Sequence, residues 1–379
     1  MRIALLARRF DPAGGGTERD LMVTAGMLAR AGHQVTVYAD EVRASAPGVE
    51  VRRVGGRVPL PRALALVRFA YAAPAVARRD GAELVLSFAR TIGADILRSG
   101  GGAHVSYVRA ARLWRGTLRA GAMRLSPYHR AQMIVERLGF RSRALKRVMA
   151  VSNLVRDDLV RSFGISPQRV VTLYNGVDLE RFKPAATSST RAEIRMRYGI
   201  PAEAVLIAFV GNGFARKGLE ALLQAIPGLA NDPYLIVVGN DRARAAYERR
   251  ASRLAMQRRV IFAGRVLKVE EFFQAADAFA FPSLFEPFGN VVLEAMACAV
   301  PALTSAACGV AELMPPELQS AVVESPADAN EVTIRLGAML AAREALRPVA
   351  LAAARQFTWE RHERELLAII DSVGRERLT

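Results

Sequence analysis

Two carboxylates and a pair of adjacent cations have the types and spacing that could carry a reaction. In Phe281-Pro282-Ser283-Leu284-Phe285-Glu286-Pro287-Phe288-Gly289-Asn290-Val291-Val292-Leu293-Glu294-Ala295, Glu286 precedes a proline, which biases it away from helical backbone, and Glu294 falls in the first turns of an apolar helix. On one continuous helix the eight-residue spacing would separate them by about 12 Å along the axis. A loop followed by a helix can instead aim both into one pocket. Glu294, set among Val291, Val292, Leu293, Ala295 and Met296, needs hydrogen-bond donors, and sugar hydroxyls are suitable ones.

The cations are Arg216 and Lys217, in the strand-to-helix turn Gly211-Asn212-Gly213-Phe214-Ala215-Arg216-Lys217-Gly218. The turn lacks the Gly-Lys-Ser/Thr of a P-loop, but two cations beside a glycine-rich turn can hold a phosphate or diphosphate through charge-assisted hydrogen bonds. A second glycine cluster, Gly14-Gly15-Gly16, precedes Thr17-Glu18-Arg19-Asp20 and a helix. Its main-chain N–H groups can approach an anion, although Arg19 stands where a dinucleotide fingerprint needs its third glycine. A hydrolytic glycosidase would also use two carboxylates, but it would leave Arg216 and Lys217 without a purpose. The four histidines, His33, His104, His129 and His362, are scattered and no Asp-x-Asp occurs, so no metal is expected.

The elements that must position these residues alternate in type. Arg2–Ala7, Gln34–Tyr38, Leu84–Ser87 and Val148–Ser152 read as strands, with a helix over Asp20–Ala31 stopped at Gly32-His33. The polar, small segment from Lys183 to Thr190 reads as a linker. Alternation then restarts, with strands at Val205–Gly211, Tyr234–Gly239, Val260–Ala263, Ala278–Pro282 and Pro301–Thr304. Helices are expected at Leu219–Leu229, Arg242–Gln257, Glu270–Ala276 and Val291–Ala297. The pattern predicts an α/β chain of two doubly wound, Rossmann-like domains, 1–183 and 184–355, facing a central cleft. A last helix, within 356–379, is placed to cross back to the first domain.

Length and composition agree. At 379 residues, 51% hydrophobic and 23% charged, the chain is globular and large enough for two or three cores. Cys298 and Cys308 are too few for a disulfide framework and read as buried thiols of a reducing compartment. The opening apolar run is too short for a secretory leader, and Val58 to Ala77 is broken by Arg62, Arg68 and prolines, so the expectation is a cytoplasmic protein without a membrane span.

Fifty-three Lys and Arg against 36 Asp and Glu give +17, which calls for anionic partners. From Arg98 to Arg147 there are twelve cations and one acid, Glu136. Arg109, Arg112, Arg115 and Arg119 interleave there with Trp114, Tyr107 and Tyr128, a pattern suited to an anionic membrane surface or glycolipid. No nucleic-acid module accompanies the charge, so nucleic acid is not expected as a partner.

The pair Glu286 and Glu294, with Arg216-Lys217-Gly218, Gly15-Gly16 and Asn175-Gly176-Val177-Asp178, resembles the retaining glycosyltransferases of family 4, which have the two-domain GT-B fold. Within that family the likeness is to the transferases that add glucose to the heptose of the lipopolysaccharide core. It is carried by Gly15 to Asp20, Gly211 to Phe214 and Ala306-Ala307-Cys308-Gly309. The resemblance implies that Arg216 and Lys217 bind the donor diphosphate, Glu294 the ribose hydroxyls and Glu286 the transferred sugar. Gly15, Gly16, Gly211, Phe288, Gly289 and Asn290 would shape the donor pocket, and Arg265 and Val266 would border the base. Asp20, with the arginines and Trp114, would face the acceptor or the membrane.

His104 falls where many members place a histidine near the reacting sugar, whereas the core transferases carry Asp there. The implied donor is a nucleotide sugar, UDP-glucose first and GDP- or ADP-linked sugars second. The implied acceptor is an anionic glycolipid at the cytoplasmic face. A sugar-nucleotide epimerase or a non-catalytic binding protein on the same fold is the alternative.

Overall fold

Unbroken apolar runs become strands covered on both faces. Leu206-Ile207-Ala208-Phe209-Val210 is buried at every position, as a parallel strand between two layers of helices must be. The computed structural model describes residues 1–11, 16–43, 48–54, 60–187 and 189–376, and these form two units: Met1–Tyr174 with Glu360–Thr379, and Asn175–Trp359.

In the first unit the strands are β1 (Arg2–Phe10), β2 (Gln34–Val42), β3 (Glu50–Arg53), β4 (Leu84–Ser87), β5 (Ile96–Ser99), β6 (Arg147–Ala150) and β7 (Val170–Thr172). They pair in the order β3-β2-β1-β4-β5-β6-β7, all parallel. The connecting helices are α1 (Gly16–Arg30), α2 (Arg62–Arg79), α3 (His104–Ala110), α4 (Arg112–Arg115), α5 (Thr117–Leu125), α6 (Pro127–Phe140) and α7 (Asn153–Phe163). Gly32, at φ +82°, ends the first helical connection as expected.

In the second unit β8 (Leu206–Val210), β9 (Tyr234–Val238), β10 (Val260–Gly264), β11 (Ala278–Ala280), β12 (Ala302–Ser305) and β13 (Val322–Val323) pair in the order β10-β9-β8-β11-β12-β13, again all parallel. Its helices are α8 (Ser189–Arg197), α9 (Leu219–Ala225), α10 (Arg244–Arg253), α11 (Val269–Ala275), α12 (Asn290–Ala297), α13 (Ala329–Ala341) and α14 (Arg343–Ala354).

The boundary between the units falls after Tyr174 rather than after Lys183. The intervening residues are bonded into the second unit: Val177 N–H donates to Phe357 O at 2.8 Å, Arg181 meets Glu270 at 2.8 Å and Phe182 packs against Phe273. The end of the supposed linker is helical, since α8 begins at Ser189. The final helix, α15 (Trp359–Arg375), packs with the first unit from Glu360 onward, burying Leu366, Ile369, Ile370 and Val373. Its charged face adds pairs of Glu363 with Arg30 at 3.1 Å and of Glu376 with Arg147.

Four strands escape the sequence reading because they are short and polar or apolar without pattern, β3 being Glu50-Val51-Arg52-Arg53. The prolines that argued against a membrane span also hid α2, which contains Pro74. Pro74 has no N–H for the carbonyl of Ala70, and that carbonyl accepts from Ile92 N at 2.9 Å instead, so the helix survives its proline.

Candidate active site

The order of the second sheet places β8 between β9 and β11, so the winding direction reverses between β8 and β11. Loops leaving the carboxyl ends of such neighbours splay apart and leave a crevice. The turn Gly211–Gly218 leaves β8 and the segment Phe281–Gly289 leaves β11. The two lie side by side because residue 218 is glycine: its φ is +81° and a Cβ there would collide with the Pro282 carbonyl. Leu284 N–H then donates to Arg216 O at 2.8 Å.

This pairing brings together three of the residues that the sequence singled out, Arg216, Lys217 and Glu286. Glu286 Oε2 accepts from Arg216 Nη1 at 2.9 Å and from Lys217 Nζ at 3.0 Å. Arg216 also donates to the Phe285 carbonyl at 2.6 Å, and the Lys217 ammonium stands 4.5 Å over the Phe281 ring. Gly211 lies against the Lys217 stem. The Glu286 side chain is 17% exposed; burial pushes its carboxyl up, but Lys217 and then Arg216 outweigh burial and hold it below the usual carboxylate range. At neutral pH it is an anion holding two cations at a fixed place, and an incoming diphosphate would meet both.

The chain after Glu286 is held by main-chain bonds to the loop following β12. Glu286 N–H donates to Ala307 O at 3.0 Å, Gly309 N–H to Glu286 O at 2.9 Å and Val310 N–H to Phe288 O at 2.8 Å. The Cys308 thiol also points at Phe288 O, at 3.0 Å. Gly289, at φ +103°, starts α12, and a Cβ there would lie 2.6 Å from Cys308 Sγ. Asn290 opens the helix and its Oδ1 accepts from Asn175 Nδ2 at 2.9 Å. Glu294 sits one turn further along α12, half-buried. Beyond it, burial first and then the charges of Glu294 and Glu270 push the Cys298 thiol up to about 12. Arg265, exposed, and Val266, half-buried, follow β10.

In the first unit Gly15 lies outside the described residues. Gly16 opens α1 with open space where a Cβ would stand. Asp20 does not face outward as expected. It is buried on α1, accepts from Arg98 at 3.1 Å and leaves Oδ1 without a hydrogen bond; burial raises its carboxyl against the pull of Arg98 and Arg19.

His104 opens α3, whose N-terminus is closed by two carboxylates: His104 N–H donates to Glu136 at 2.8 Å and Ala103 N–H to Asp158 at 3.3 Å. The His104 ring is buried, with Nε2 2.9 Å from Nδ1 of His129. Burial, then the charges of Arg90 and His129, push it down to about 4, so it is neutral at pH 7.

Arg109, Arg112, Arg115 and Arg119 are exposed along α3 to α5. Trp114 is half-buried, packed with Tyr107 against Val108, Ala111, Ala120 and Met123. Leu118 is 89% exposed and Leu125 76%, among those arginines. Sequence reasoning missed the roles of Glu136 and Asp158, the pairing of the two histidines and the contact that Asn175 makes with Asn290. Glu136 carried a signal, being the single acid among twelve cations, and Asn175 stood in a motif; the rest had none.

Among the described residues no group of three or more His, Cys, Asp or Glu is placed to hold a metal ion, and no helix is long and apolar enough to cross a membrane.

Comparison with known proteins covers both units. Residues 14–181 match the model described as Glycosyltransferase Family 4, and residues 190–350 match Glycosyl transferases group 1. The lipopolysaccharide glucosyltransferase WaaG of Escherichia coli K12 is 26% identical over 86% of this chain and 86% of its own. A crystal structure of WaaG superposes with a TM-score of 0.76 at 25% identity, over 94% of each chain. A D-inositol 3-phosphate glycosyltransferase of Xylanimonas cellulosilytica is 31% identical over 58% of this chain and 55% of its own, and the chain spans about half the length of several other curated relatives. The Anabaena protein HepE, solved in complex with UDP and glucose, shares the fold at a TM-score of 0.73, with 18% identity over 98% of this chain and all of that one. With a family model on each half, and with two parallel sheets of seven and six strands whose reversal point carries Arg216, Lys217 and Glu286, this chain belongs to the GT-B glycosyltransferases of group 1 and family 4.

Proposed function

We propose that the chain transfers a hexose, glucose carried by UDP, to a lipopolysaccharide inner core or similar anionic glycolipid, with retention at the anomeric carbon and without a metal ion. One observation carries the reading: Arg216 and Lys217 converge on Glu286 at the reversal point of the sheet, 2.9 and 3.0 Å from one carboxylate oxygen. Two fixed cations there supply what a metal would otherwise give a leaving diphosphate, stabilising negative charge as the bond to the sugar breaks. The α12 N-terminus, shaped by Phe288, Gly289 and Asn290, presents further N–H donors to that charge. Glu286 then accepts from hydroxyls of the transferred sugar, Glu294 from the ribose, and Arg265 and Val266 border the base. Neutral His104 serves the sugar as a hydrogen-bonding group rather than as a second cation.

Glucose and the lipopolysaccharide acceptor come from the name of WaaG, and UDP suits a fold that holds it in HepE. The exposed arginines and leucines of α3 to α5 suit an anionic glycolipid and the membrane face that presents it, which supports the reading of a peripheral enzyme on the cytoplasmic side.

The test is thermal stabilisation by a panel of nucleotides and nucleotide sugars in EDTA, followed by anomeric analysis of the product made on lipopolysaccharide acceptors. Selective stabilisation by UDP-glucose and UDP, with an α-linked product, supports the reading. Conversion of the donor alone would point to an epimerase, and no stabilisation by any nucleotide sugar would overturn it.

A further inference from the structure

We propose that His129 is a positioning residue for His104: the hydrogen bond between the two rings fixes which nitrogen of His104 carries the proton, and so whether the ring offers a sugar hydroxyl a donor or an acceptor. The inference rests on the reading of His104 as a sugar-facing residue.

The two histidines come from different helices, α3 and α6, and their separation in the sequence gives no hint of a pair. In the structure His104 Nε2 and His129 Nδ1 are 2.9 Å apart, and the rings stack with centroids 5.1 Å apart and planes 18° from parallel. Tyr107 stacks on His104 at 5.8 Å, and Tyr128 meets His129 edge-on at 5.7 Å. The helices are tied at the same place by Glu136 of α6, which accepts the His104 main-chain N–H and, on its other oxygen, Arg90 at 2.9 Å. Both rings therefore have little freedom to turn away from each other.

A hydrogen bond between two imidazole nitrogens holds one proton. If His129 donates through Nδ1–H, neutral His104 keeps its own proton on Nδ1 and can donate from there. If His104 donates through Nε2–H, its Nδ1 is a bare acceptor. Without His129 the ring is free to exchange between the two forms, and a part of its population presents the wrong polarity. The charged groups around the pair keep it neutral rather than titrating it. Arg90 and Arg115 disfavour a proton on either ring, in addition to burial, while Glu136 is engaged by Arg90 and by main chain, and Asp158 by Ala103 N–H and Ser106.

Nitrogen spectra of the full-length protein labelled with ¹⁵N-histidine test this without reference to turnover. His129→Phe keeps a ring against His104 and removes the nitrogen, and His129→Asn returns a polar atom near the Nδ1 position. The wild type should show His104 in one neutral tautomer from about pH 5.5 to 8. His129→Phe should give averaged tautomer shifts and a kcat for transfer lowered roughly 10-fold or more, with the donor KM changed less than about twofold. His129→Asn should recover both. His104 shifts identical in wild type and His129→Phe, or transfer by His129→Phe at the wild-type rate, would overturn the proposal; should the Phe variant fail to fold, unaltered shifts in His129→Ala would do the same. Wild-type transfer by His104→Phe would instead remove the role given to His104, while the nitrogen spectra would still decide whether the pair exists.

Discussion

Lys217 and Glu286 meet at 3.0 Å across two loops that leave different strands, and the same carboxylate oxygen takes Arg216 at 2.9 Å. The anion offsets one of the two positive charges, and in the proposed reading an incoming diphosphate would share both cations with Glu286.

That sharing separates binding from transfer. Glu286→Gln removes the competing charge and should tighten free UDP by about fivefold, near 1 kcal/mol, while lowering transfer. Lys217→Ala should lower kcat about 100-fold, more than it weakens donor binding. Glu294→Ala should weaken the nucleotide sugar by about 10-fold through lost ribose hydrogen bonds. Calorimetric titration with UDP and UDP-glucose, set beside transfer rates, reads all three; unchanged transfer in both Lys217→Ala and Glu294→Ala would sink the assignment.

Backbone geometry at the α12 N-terminus gives a second prediction. Gly289→Ala must accept φ +103° and a Cβ 2.6 Å from the Cys308 sulfur, and should cost about 2–4 kcal/mol with a matching fall in melting temperature. Gly16→Ala meets nothing within 4 Å and should leave stability unchanged, so any loss of ligand affinity there would report close approach of the ligand to α1.

Acid stability follows from the buried histidines. His362 Nδ1 lies 2.6 Å from the Tyr174 carbonyl, and burial, then Arg98, push the ring down to about 4. The unfolded chain takes up that proton near pH 6.5, so stability falls as pH drops from about 6.5 to about 4, by roughly 1–2 kcal/mol at pH 5 for His362 and a similar amount for His104. Asp20 and Glu136, raised by burial, work in the opposite sense. Urea midpoints at pH 7 and pH 5 should therefore differ less in His362→Gln than in the wild type, and an equal difference would refute the linkage.

The cationic face of α3 to α5 should bind vesicles of anionic lipid, more weakly as salt rises. Leu118→Ser with Leu125→Ser removes two side chains that are 89% and 76% exposed, and should cut vesicle affinity about 10-fold without moving the melting temperature. Cosedimentation at two salt concentrations distinguishes this from a merely solvated surface, which would show no lipid dependence.

Local chemistry was legible in the sequence where the signal was local. The apolar runs of β1, β8 and β9 announce parallel strands, and the glycine turn at 211–218 and the Pro-flanked Glu286 mark a cationic turn and an acid that the structure pairs, each from a few consecutive residues. Residues far apart in the chain had to wait for the tertiary structure. Sheet order brings Lys217 to Glu286, the packing of α1 turns Asp20 inward onto Arg98 of β5, and the tertiary fold sets Asn175 against Asn290. Helix packing alone lays His129 on His104 and gives Glu136 to the α3 N-terminus. Periodicity records which face of an element is buried, but it holds no record of the neighbour that buries it, and hydrogen bonds and charge pairs are made with that neighbour.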